Sequence, residues 1–161
     1  MRKLPKRPIR VAVIGAGDAT ELEYETARTL GRELALAGAV VVCGGRGGVM
    51  EGAARGAADA GGASVGILPG EETAAANPWI TIPLASGLGH ARNALVAGAG
   101  HVVLAVGGSW GTLSEIALAR ARGIEVGTLL EPPTHLGLPN FSEPAEAAAW
   151  AVECAREAGR P

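Results

Sequence analysis

Short apolar runs alternate along this chain with segments of helical spacing, and glycine clusters follow several of the runs. The runs predict strands at residues 9–14, 39–43, 64–68, 79–82, 101–106 and 125–130. Helices are predicted at residues 20–37, 49–60, 87–98, 112–122 and 145–158, and loops at residues 69–78 and 132–139. Continuous apolar strands separated by helices are typical of a parallel sheet that is buried on both faces. The sequence therefore predicts an α/β fold: a Rossmann-like, doubly wound and mainly parallel sheet with helices on both faces.

The length of 161 residues suits a single domain. We expect a flexible N-terminal tail at residues 1–8 and one Rossmann-like domain at residues 9–161. Hydrophobic residues make up 48% of the chain and charged residues 19%, which is typical of a globular protein. Aromatic residues are scarce, at 3%, and glycine occurs 25 times. The core is therefore expected to be aliphatic, and the small residues allow helices and ligands to approach the backbone closely.

Charge and cysteine content argue against several classes of function. A net charge of −2 and the lack of a basic patch give no reason to expect a nucleic-acid partner. The first apolar run, Val11–Ile14, is too short for a signal peptide or a membrane span, so we expect a cytoplasmic protein with no membrane partner. Cys43 and Cys154 do not make a disulfide framework or a zinc site. The histidines show no metal-ligand spacing, so no metal is predicted.

The chain contains two lysines, Lys3 and Lys6, and both precede the first predicted strand. A Schiff-base enzyme requires a lysine inside its pocket, and a P-loop requires the GxxxxGK[ST] pattern. Neither is available in this sequence. We therefore predict no resident cofactor and no P-loop nucleotide site.

The first glycine turn, Gly15-Ala16-Gly17, resembles the start of a dinucleotide-binding fingerprint, with Thr20 where the third glycine is expected. The fingerprint also requires an acidic residue at the end of the second strand, to bind the ribose hydroxyls. Here that strand runs through Cys43 directly into Gly44. An NAD-type oxidoreductase is therefore the weakest function considered, although Gly15 and Gly17 are candidate ligand-binding residues.

Four glycines and an arginine form the second turn, which joins a predicted strand to a predicted helix. They are Gly44, Gly45, Arg46, Gly47 and Gly48. Backbone N–H groups at a helix N-terminus can bind an anion, and the arginine can add a charged donor. The alternative is that the glycines only permit a tight turn. We favour the anion site, because one turn rarely needs four glycines for steric reasons alone.

The third turn follows the strand at residues 101–106 and contains Gly107, Gly108, Ser109, Gly111 and Thr112. We predict that it binds phosphate, because it again joins a strand to a helix N-terminus. Trp110 in the same turn can stack on a base.

Glu115 follows Thr112 by three residues, which matches the [ST]-x-x-E capping box. Capping alone would account for this glutamate. Helical spacing, however, places Glu115 away from an apolar stripe of Leu113, Ile116 and Ala117. On the residues alone, capping and catalysis remain equal alternatives.

Arg92 falls within the apolar stripe that Leu88, Leu95 and Val96 define on its predicted helix. An arginine in an inward stripe either extends to solvent at the helix end or has an anionic partner. The helix leads into the strand that precedes Glu115, so we predict that Arg92 and Glu115 face one pocket.

The chain resembles the Lonely Guy family in the order and spacing of three motifs, GGRGGVMEGAARGA, GHARN and GGSWGTLSE. Members of that family were long mislabelled as lysine decarboxylases. The resemblance covers residues 11–130. It implies a Rossmann-like domain that dimerises and hydrolyses cytokinin nucleoside 5′-monophosphates to free base and ribose 5-phosphate, not a PLP-dependent decarboxylase. It also implies catalytic roles for Arg92 and Glu115, which match the family signature together with Gly107, Gly108, Gly111 and Thr112.

Two positions depart from that signature. Val106 stands in place of a proline, and Asn93 stands in place of the lysine that follows the signature arginine. In these two positions and in the sequence of residues 44–51, the chain looks more like the branch that includes molybdenum cofactor carrier proteins. That branch binds a phosphorylated pterin and need not hydrolyse it. Asn93 is included among the candidate ligand-binding residues.

The leading hypothesis is a nucleotide-binding domain that holds a phosphorylated heterocycle, such as a nucleoside 5′-monophosphate, at its glycine loops. That hypothesis includes hydrolysis of the N-glycosidic bond, with Glu115 stabilising oxocarbenium charge or activating water and Arg92 positioning the substrate. The alternative is a non-catalytic carrier of a phosphorylated cofactor such as molybdenum cofactor. We expect a homodimer or a higher homo-oligomer.

Overall fold

The computed structural model describes residues 6–132 and 135–159. Within these residues the strands are β1 (Arg10–Gly15), β2 (Val40–Cys43), β3 (Ser64–Leu68), β4 (Ile82–Ala85), β5 (Val102–Val106), β6 (Glu125–Leu129) and β7 (Asn140–Phe141). The α-helices are α1 (Glu21–Leu36), α2 (Val49–Asp59), α3 (Asn93–Ala99), α4 (Trp110–Ala121) and α5 (Pro144–Glu157). Two 3₁₀ turns lie at Thr73–Ala75 and Gly89–Arg92.

Some sequence predictions fall on residues outside the described ranges. They concern residues 1–5 of the predicted tail, which include Lys3, residues 133 and 134 of the loop predicted at 132–139, and residues 160 and 161 of the predicted domain. Residues 6–8 of the predicted tail are exposed and have no regular secondary structure.

The strands form one sheet in the order β4-β3-β2-β1-β5-β6-β7, and every neighbouring pair is parallel. The central strand is β1, in which Val11 pairs with Val41 of β2 and with Val102 of β5. Helices α1, α2 and α5 pack on one face of the sheet, and α3 and α4 pack on the other. The predicted doubly wound, Rossmann-like α/β fold is confirmed.

Alternate residues of β1 divide between two aliphatic cores. Val11 and Val13 pack with α1, α2 and α5, whereas Ala12 and Ile14 pack with α3 and α4. Burial on both faces explains why the strands read as continuous apolar runs. Among the helices of the described residues, none is both long and apolar enough to cross a bilayer.

Glycines bring α1 and α2 into close backbone contact. A Cβ at Gly52 would lie 2.6 Å from the carbonyl oxygen of Tyr24, and a Cβ at Gly31 or Gly56 would overlap the backbone of the facing helix. Small residues therefore allow close contact between helices, as predicted, and they do so here between α1 and α2 of the same chain. This packing holds the N-terminus of α2 beside the end of β1.

The fourth strand begins later than predicted. The strand predicted at residues 79–82 is β4 at Ile82–Ala85, because residues 79–81 meet β3 through side-chain bonds. Ser64 N donates to Thr81 Oγ1 at 3.1 Å, and Ser64 Oγ donates to the Trp79 carbonyl at 3.3 Å. Pro83 is tolerated in β4 because this strand lies at the edge of the sheet. The two-residue strand β7 was not predicted, because it is too short to show a periodic pattern.

The helix predicted at residues 87–98 is in fact the 3₁₀ turn Gly89–Arg92 followed by α3. Gly87 and Gly89 have φ angles of 65° and 56°. These left-handed conformations interrupt a right-handed helix, so α3 starts only at Asn93.

The apolar stripe predicted around Arg92 is also wrong. Leu88 and Leu95 are 52% and 45% exposed, and only Val96 of the three is buried. Arg92 instead ends the 3₁₀ turn and immediately precedes α3. Its side chain is nevertheless buried, because Gly44 leaves room for the guanidinium.

Candidate ligand-binding site

The three glycine turns lie side by side at the carboxyl ends of the strands. The turn at 15–17 follows β1, the turn at 44–48 follows β2, and the turn at 107–111 follows β5. Since β1 pairs with both β2 and β5, the turns are neighbours. The chain leaves β1 for α1 on one face and β5 for α4 on the other. Ligands of doubly wound sheets bind in the crevice at such a switch point.

A cavity of about 190 Å³ opens beside the end of β1. It is lined by the predicted site residues Gly15, Gly17, Gly44, Arg92, Asn93, Ser109, Gly111, Thr112 and Glu115. Unpredicted residues in its wall are Val13, Ile14, Met50 and His90. The predicted residues outside this lining are Gly45, Arg46, Gly47, Gly48, Gly107 and Gly108.

Arg92 and Glu115 meet at this cavity, as predicted. Arg92 Nη1 lies 3.9 Å from Glu115 Oε1, and the two side chains are only 11% and 8% exposed. Gly44 makes room for the guanidinium, since a Cβ there would lie 2.7 Å from Arg92 Nη2. Arg92 Nε is buried without a hydrogen-bond partner among the described residues. The guanidinium therefore has an unused donor at Nε, beside the pocket wall that Gly44 and Glu115 form.

Burial dominates the electrostatics of the pair. It raises the pKa of Glu115 to about 7, although the nearby Arg92 guanidinium acts in the opposite direction. Burial also lowers the pKa of Arg92, and Glu115 opposes that change. A carboxyl group with a pKa near neutrality can exchange a proton at neutral pH.

Glu115 does not cap α4, which corrects the capping alternative. The helix starts at Trp110 with Ser109 as its N-cap residue, and Ser109 N donates to Thr112 Oγ1 at 3.2 Å. This local bond sets the helix start two residues earlier than predicted, so Glu115 lies beyond the first turn.

The apolar stripe predicted for α4 is wrong as well. The buried face of this helix consists of Thr112, Glu115, Ile116 and Ala119, and Ala117 is exposed. Glu115 therefore lies on the inward face, between Thr112 and Ala119, where i, i+3 and i+4 positions align. This placement brings its carboxyl group to the cavity.

Asn93 links Arg92 to the N-terminal part of α4. Its Oδ1 accepts a hydrogen bond from Arg92 Nη1 at 2.6 Å, and its Nδ2 donates to Ser114 Oγ at 3.3 Å. Ser114 Oγ in turn donates to the Gly111 carbonyl at 2.7 Å. The asparagine that stands at the position of the signature lysine thus connects both sides of the cavity.

The turn between β2 and α2 leaves the helix N-terminus without a side-chain cap. Its N-cap residue is Gly48, with φ 63°, and within the described residues no side-chain hydrogen bond caps it. A Cβ at Gly48 would lie 2.7 Å from the Gly17 carbonyl oxygen, so this residue allows the first and second turns to touch. Arg46 is exposed beside them.

The turn after β5 is fixed to the sheet. Gly107 has φ 57° and its N–H donates to the Leu129 carbonyl at 2.9 Å. Gly108 has φ 150°, and a Cβ there would lie 3.0 Å from Thr112 Cβ. Both glycines thus allow the backbone of the turn its shape, although neither lines the cavity. Trp110 is 87% exposed at the start of α4.

A model of the SLOG cluster4 family matches residues 8–152. The chain belongs to the SLOG cluster4 family. An uncharacterized protein of Archaeoglobus fulgidus is 38% identical to this SLOG cluster4 chain over 144 residues, which are 89% of the chain and 95% of that relative.

Two solved structures similar to this SLOG cluster4 protein are molybdenum cofactor proteins. The molybdenum cofactor binding protein of Rippkaea orientalis has 33% identity and a TM-score of 0.86, covering 92% of this chain and 98% of its own. The molybdenum cofactor carrier protein of Chlamydomonas reinhardtii has 31% identity and a TM-score of 0.84, covering 93% and 99%. The predicted resemblance to the carrier branch is confirmed.

Besides the unpredicted residues of the cavity wall, sequence reasoning missed two polar residues that hold the site of this SLOG cluster4 protein from outside that wall. Ser114 holds Asn93, and Asn77 holds the second glycine turn through bonds from its Nδ2 to the Arg46 carbonyl at 2.8 Å and from its N to the Gly45 carbonyl at 2.9 Å. The spacing of Ser114 to Gly111 suits a local hydroxyl bond. Nothing local marks Asn77, because its partners lie about 30 residues earlier in the chain.

Proposed function

We propose that this SLOG cluster4 protein is a carrier that binds a phosphorylated heterocyclic cofactor without converting it, with molybdenum cofactor as its cargo. The observation that carries the proposal is the likeness, over nearly the whole of each chain, to the molybdenum cofactor proteins of R. orientalis and C. reinhardtii. Asn93 and Val106, which depart from the hydrolase signature, also favour a carrier.

Two turns can supply backbone N–H groups to the phosphate. One is the turn at Gly44–Gly48 before α2, whose N-terminus has no side-chain cap although Val49 N donates to the Ala16 carbonyl at 3.1 Å, and the other is the turn at Gly107–Thr112. Arg46 belongs to the turn at Gly44–Gly48 and Arg92 lies against Gly44 of the same turn, so both charges attract an anion there. We therefore infer that the phosphate binds between the two turns and closer to α2.

The heterocycle is proposed to enter the cavity itself. Ile14 and Met50 provide apolar wall, and Glu115 is a buried acceptor for ring N–H groups. Arg92 positions the ligand by donating from a side chain that packing already holds. A bound ligand would offer an acceptor to Arg92 Nε, which is buried without a partner among the described residues.

Transfer of the cofactor tests the proposal. Molybdenum cofactor released from a denatured molybdoenzyme is mixed with the protein under anaerobic conditions, and the desalted protein is assayed for molybdenum and for oxidised pterin fluorescence. The wild type should retain cofactor, and Arg92→Ala should retain at least about tenfold less. Arg120→Ala is the control, because Arg120 is 48% exposed and pairs with Glu125. Retention by the wild type no higher than by an unrelated protein would refute the carrier.

A phosphoribohydrolase is the second candidate, favoured by the buried Arg92–Glu115 pair. A carboxyl group with a pKa near 7 suits acid–base catalysis at an N-glycosidic bond. The test is release of ribose 5-phosphate from a panel of nucleoside 5′-monophosphates. Glu115→Gln should lower the rate about 100-fold or more and change binding far less. Tight binding without release by the wild type would eliminate the hydrolase and leave the carrier.

We also infer that the protein is a homodimer. Ile82 and Leu84 of β4 are each 48% exposed, and Leu88 and Leu95 are 52% and 45% exposed. These four exposed side chains, named here the β4–α3 face, lie on β4, on the turn that follows it and on α3, and Leu84 and Leu95 line one groove. Uncovered aliphatic surface marks protein contacts. The resemblance to a dimerising family supports a second copy of the chain as the partner. A cytoplasmic location and the lack of a nucleic-acid partner remain predictions.

A further inference from the structure

The N-terminus of α1 is closed by its own side chains. Thr20 N donates to Glu23 Oε2 at 2.8 Å, and Glu23 N donates to Thr20 Oγ1 at 3.2 Å. This capping box engages two of the N–H groups that a helix start can otherwise offer to an anion. The charge of Glu23 also lies at the positive end of the helix, which stabilises it there.

Glu23 also reaches the turn after β5. Its Oε1 lies against Gly107, and a Cβ at that glycine would lie 3.1 Å from Glu23 Cδ. The N–H of Gly107 is bonded to Leu129, so this turn is anchored to the sheet. One carboxylate therefore spans from the start of α1 to the end of β5.

Glu23 lies between the start of α1 and the turn after β5, next to the switch-point cavity and outside its lining. In doubly wound dinucleotide-binding folds, the pyrophosphate lies at the N-terminus of the helix that follows β1. Thr20 stands in place of the third fingerprint glycine, and Glu23 fills the approach. A ligand phosphate in this position would face a carboxylate, and contact between like charges opposes binding.

We propose that Glu23 is a specificity-determining residue that restricts the ligand to a single phosphate group. The inference rests on the proposed function, in which that phosphate binds near Gly44–Gly48. A second phosphate, as in a nucleoside diphosphate or a dinucleotide, extends across Gly15–Gly17 toward α1 and meets Glu23. Selectivity against diphosphates then comes from this chain's own helix cap.

Glu23→Gln separates the charge from the cap, because glutamine also serves in a capping box. Inorganic phosphate and pyrophosphate are base-free probes, and titration of the ¹⁵N-labelled protein by NMR reports both affinity and the amides that respond. Glu21→Gln is the matched control, since it removes the same charge from the same first turn at an exposed position. Thermal unfolding checks that each variant keeps its fold.

The wild type should bind pyrophosphate no more tightly than phosphate, despite the larger charge of pyrophosphate. In Glu23→Gln, the affinity for pyrophosphate relative to phosphate should rise about tenfold, with new shifts at the amides of Gly17 and Thr20. The ratio should be unchanged in Glu21→Gln. If phosphate binds to the wild type and the ratio does not move in Glu23→Gln, the inference fails while the proposed phosphate site stands. If neither anion binds to any variant, both fail.

Discussion

The guanidinium of Arg92 lies 3.9 Å from the carboxylate of Glu115 across the candidate cavity, and both side chains are almost fully buried. Removing two charges from water has a large free-energy penalty, which attraction offsets fully only when the geometry is close and other hydrogen bonds are present. At this separation burial prevails, and the pKa of Glu115 rises to about 7. The pair is therefore better suited to receiving a ligand than to stabilising the fold.

The stability of the protein should fall between about pH 4.5 and pH 7. The pKa of Glu115 is about 7 in the folded chain against an ordinary value of 4.5, so the folded state binds the extra proton in this window. Its contribution is fully present below pH 4.5 and is lost as the pH rises through 7, an effect on the order of 3 kcal/mol. Urea denaturation across this range should show the fall in wild type and not in Glu115→Gln. Equal slopes in the two proteins would contradict the buried carboxyl.

Gly44→Ala should disturb the site without unfolding the protein. The added Cβ would lie 2.7 Å from Arg92 Nη2 and 2.6 Å from Met50 Sδ, both near the ends of flexible side chains. Arg92 should move away from Glu115, and cofactor retention should fall about tenfold or more. Gly70→Ala is the control, because a Cβ at Gly70 meets nothing within 4 Å. Retention equal to that of Gly70→Ala would show that the contact does not position Arg92.

The bond between Asn93 and Ser114 should appear as an energetic coupling. Each residue in turn is changed to alanine, and the free energies of unfolding of the single and double variants form a cycle. A coupling of about 0.5–1.5 kcal/mol is expected for a partly buried hydrogen bond. Additive effects of the two changes would mean that the 3.3 Å contact contributes nothing to the free energy of unfolding.

Leu84→Glu should dissociate the proposed dimer. A charge on the β4–α3 face opposes burial of that face against a second copy. Light scattering should report a dimer for the wild type and a monomer for the variant. Leu36→Glu is the control, since Leu36 is 61% exposed at the end of α1. A monomeric wild type would refute the dimer. A dimer that persists in Leu84→Glu would show that the interface does not include the β4–α3 face.

Much of the secondary structure could be predicted from local pattern. The strand at Ser64–Leu68 has the predicted bounds, β1 is shifted by one residue at both ends, and β2, β5 and β6 differ by one residue at one end. Apolar runs and helix-ending glycines act over a few residues, so the sequence alone contains the information. The edge strand β4 was misplaced because side-chain bonds to Ser64, distant in sequence, decide where its ladder begins.

The site was predicted in outline and missed in detail. The three glycine turns follow directly from the strand ends, and the pairing of Arg92 with Glu115 was correctly expected. The reasoning for each side chain was not correct, because Leu88 and Leu95 are exposed and Ser109, not Thr112, begins the cap of α4. A helical wheel assumes a helix start and a covered face, and both depend on contacts outside the segment.

The sequence by itself determined the alternation of strands and helices and the parallel sheet, because these depend on local periodicity. It also determined that the glycine turns lie together at the carboxyl ends of the strands, because parallel strands share one chain direction. Only the tertiary structure decided that Glu23 lies against Gly107, that Asn93 joins Arg92 to Ser114, and that burial raises the pKa of Glu115. The contacts of Glu23 with Gly107 and of Asn93 with Ser114 join residues that are far apart in the chain. Their distances and their exclusion of water exist only after the helices have packed on the sheet.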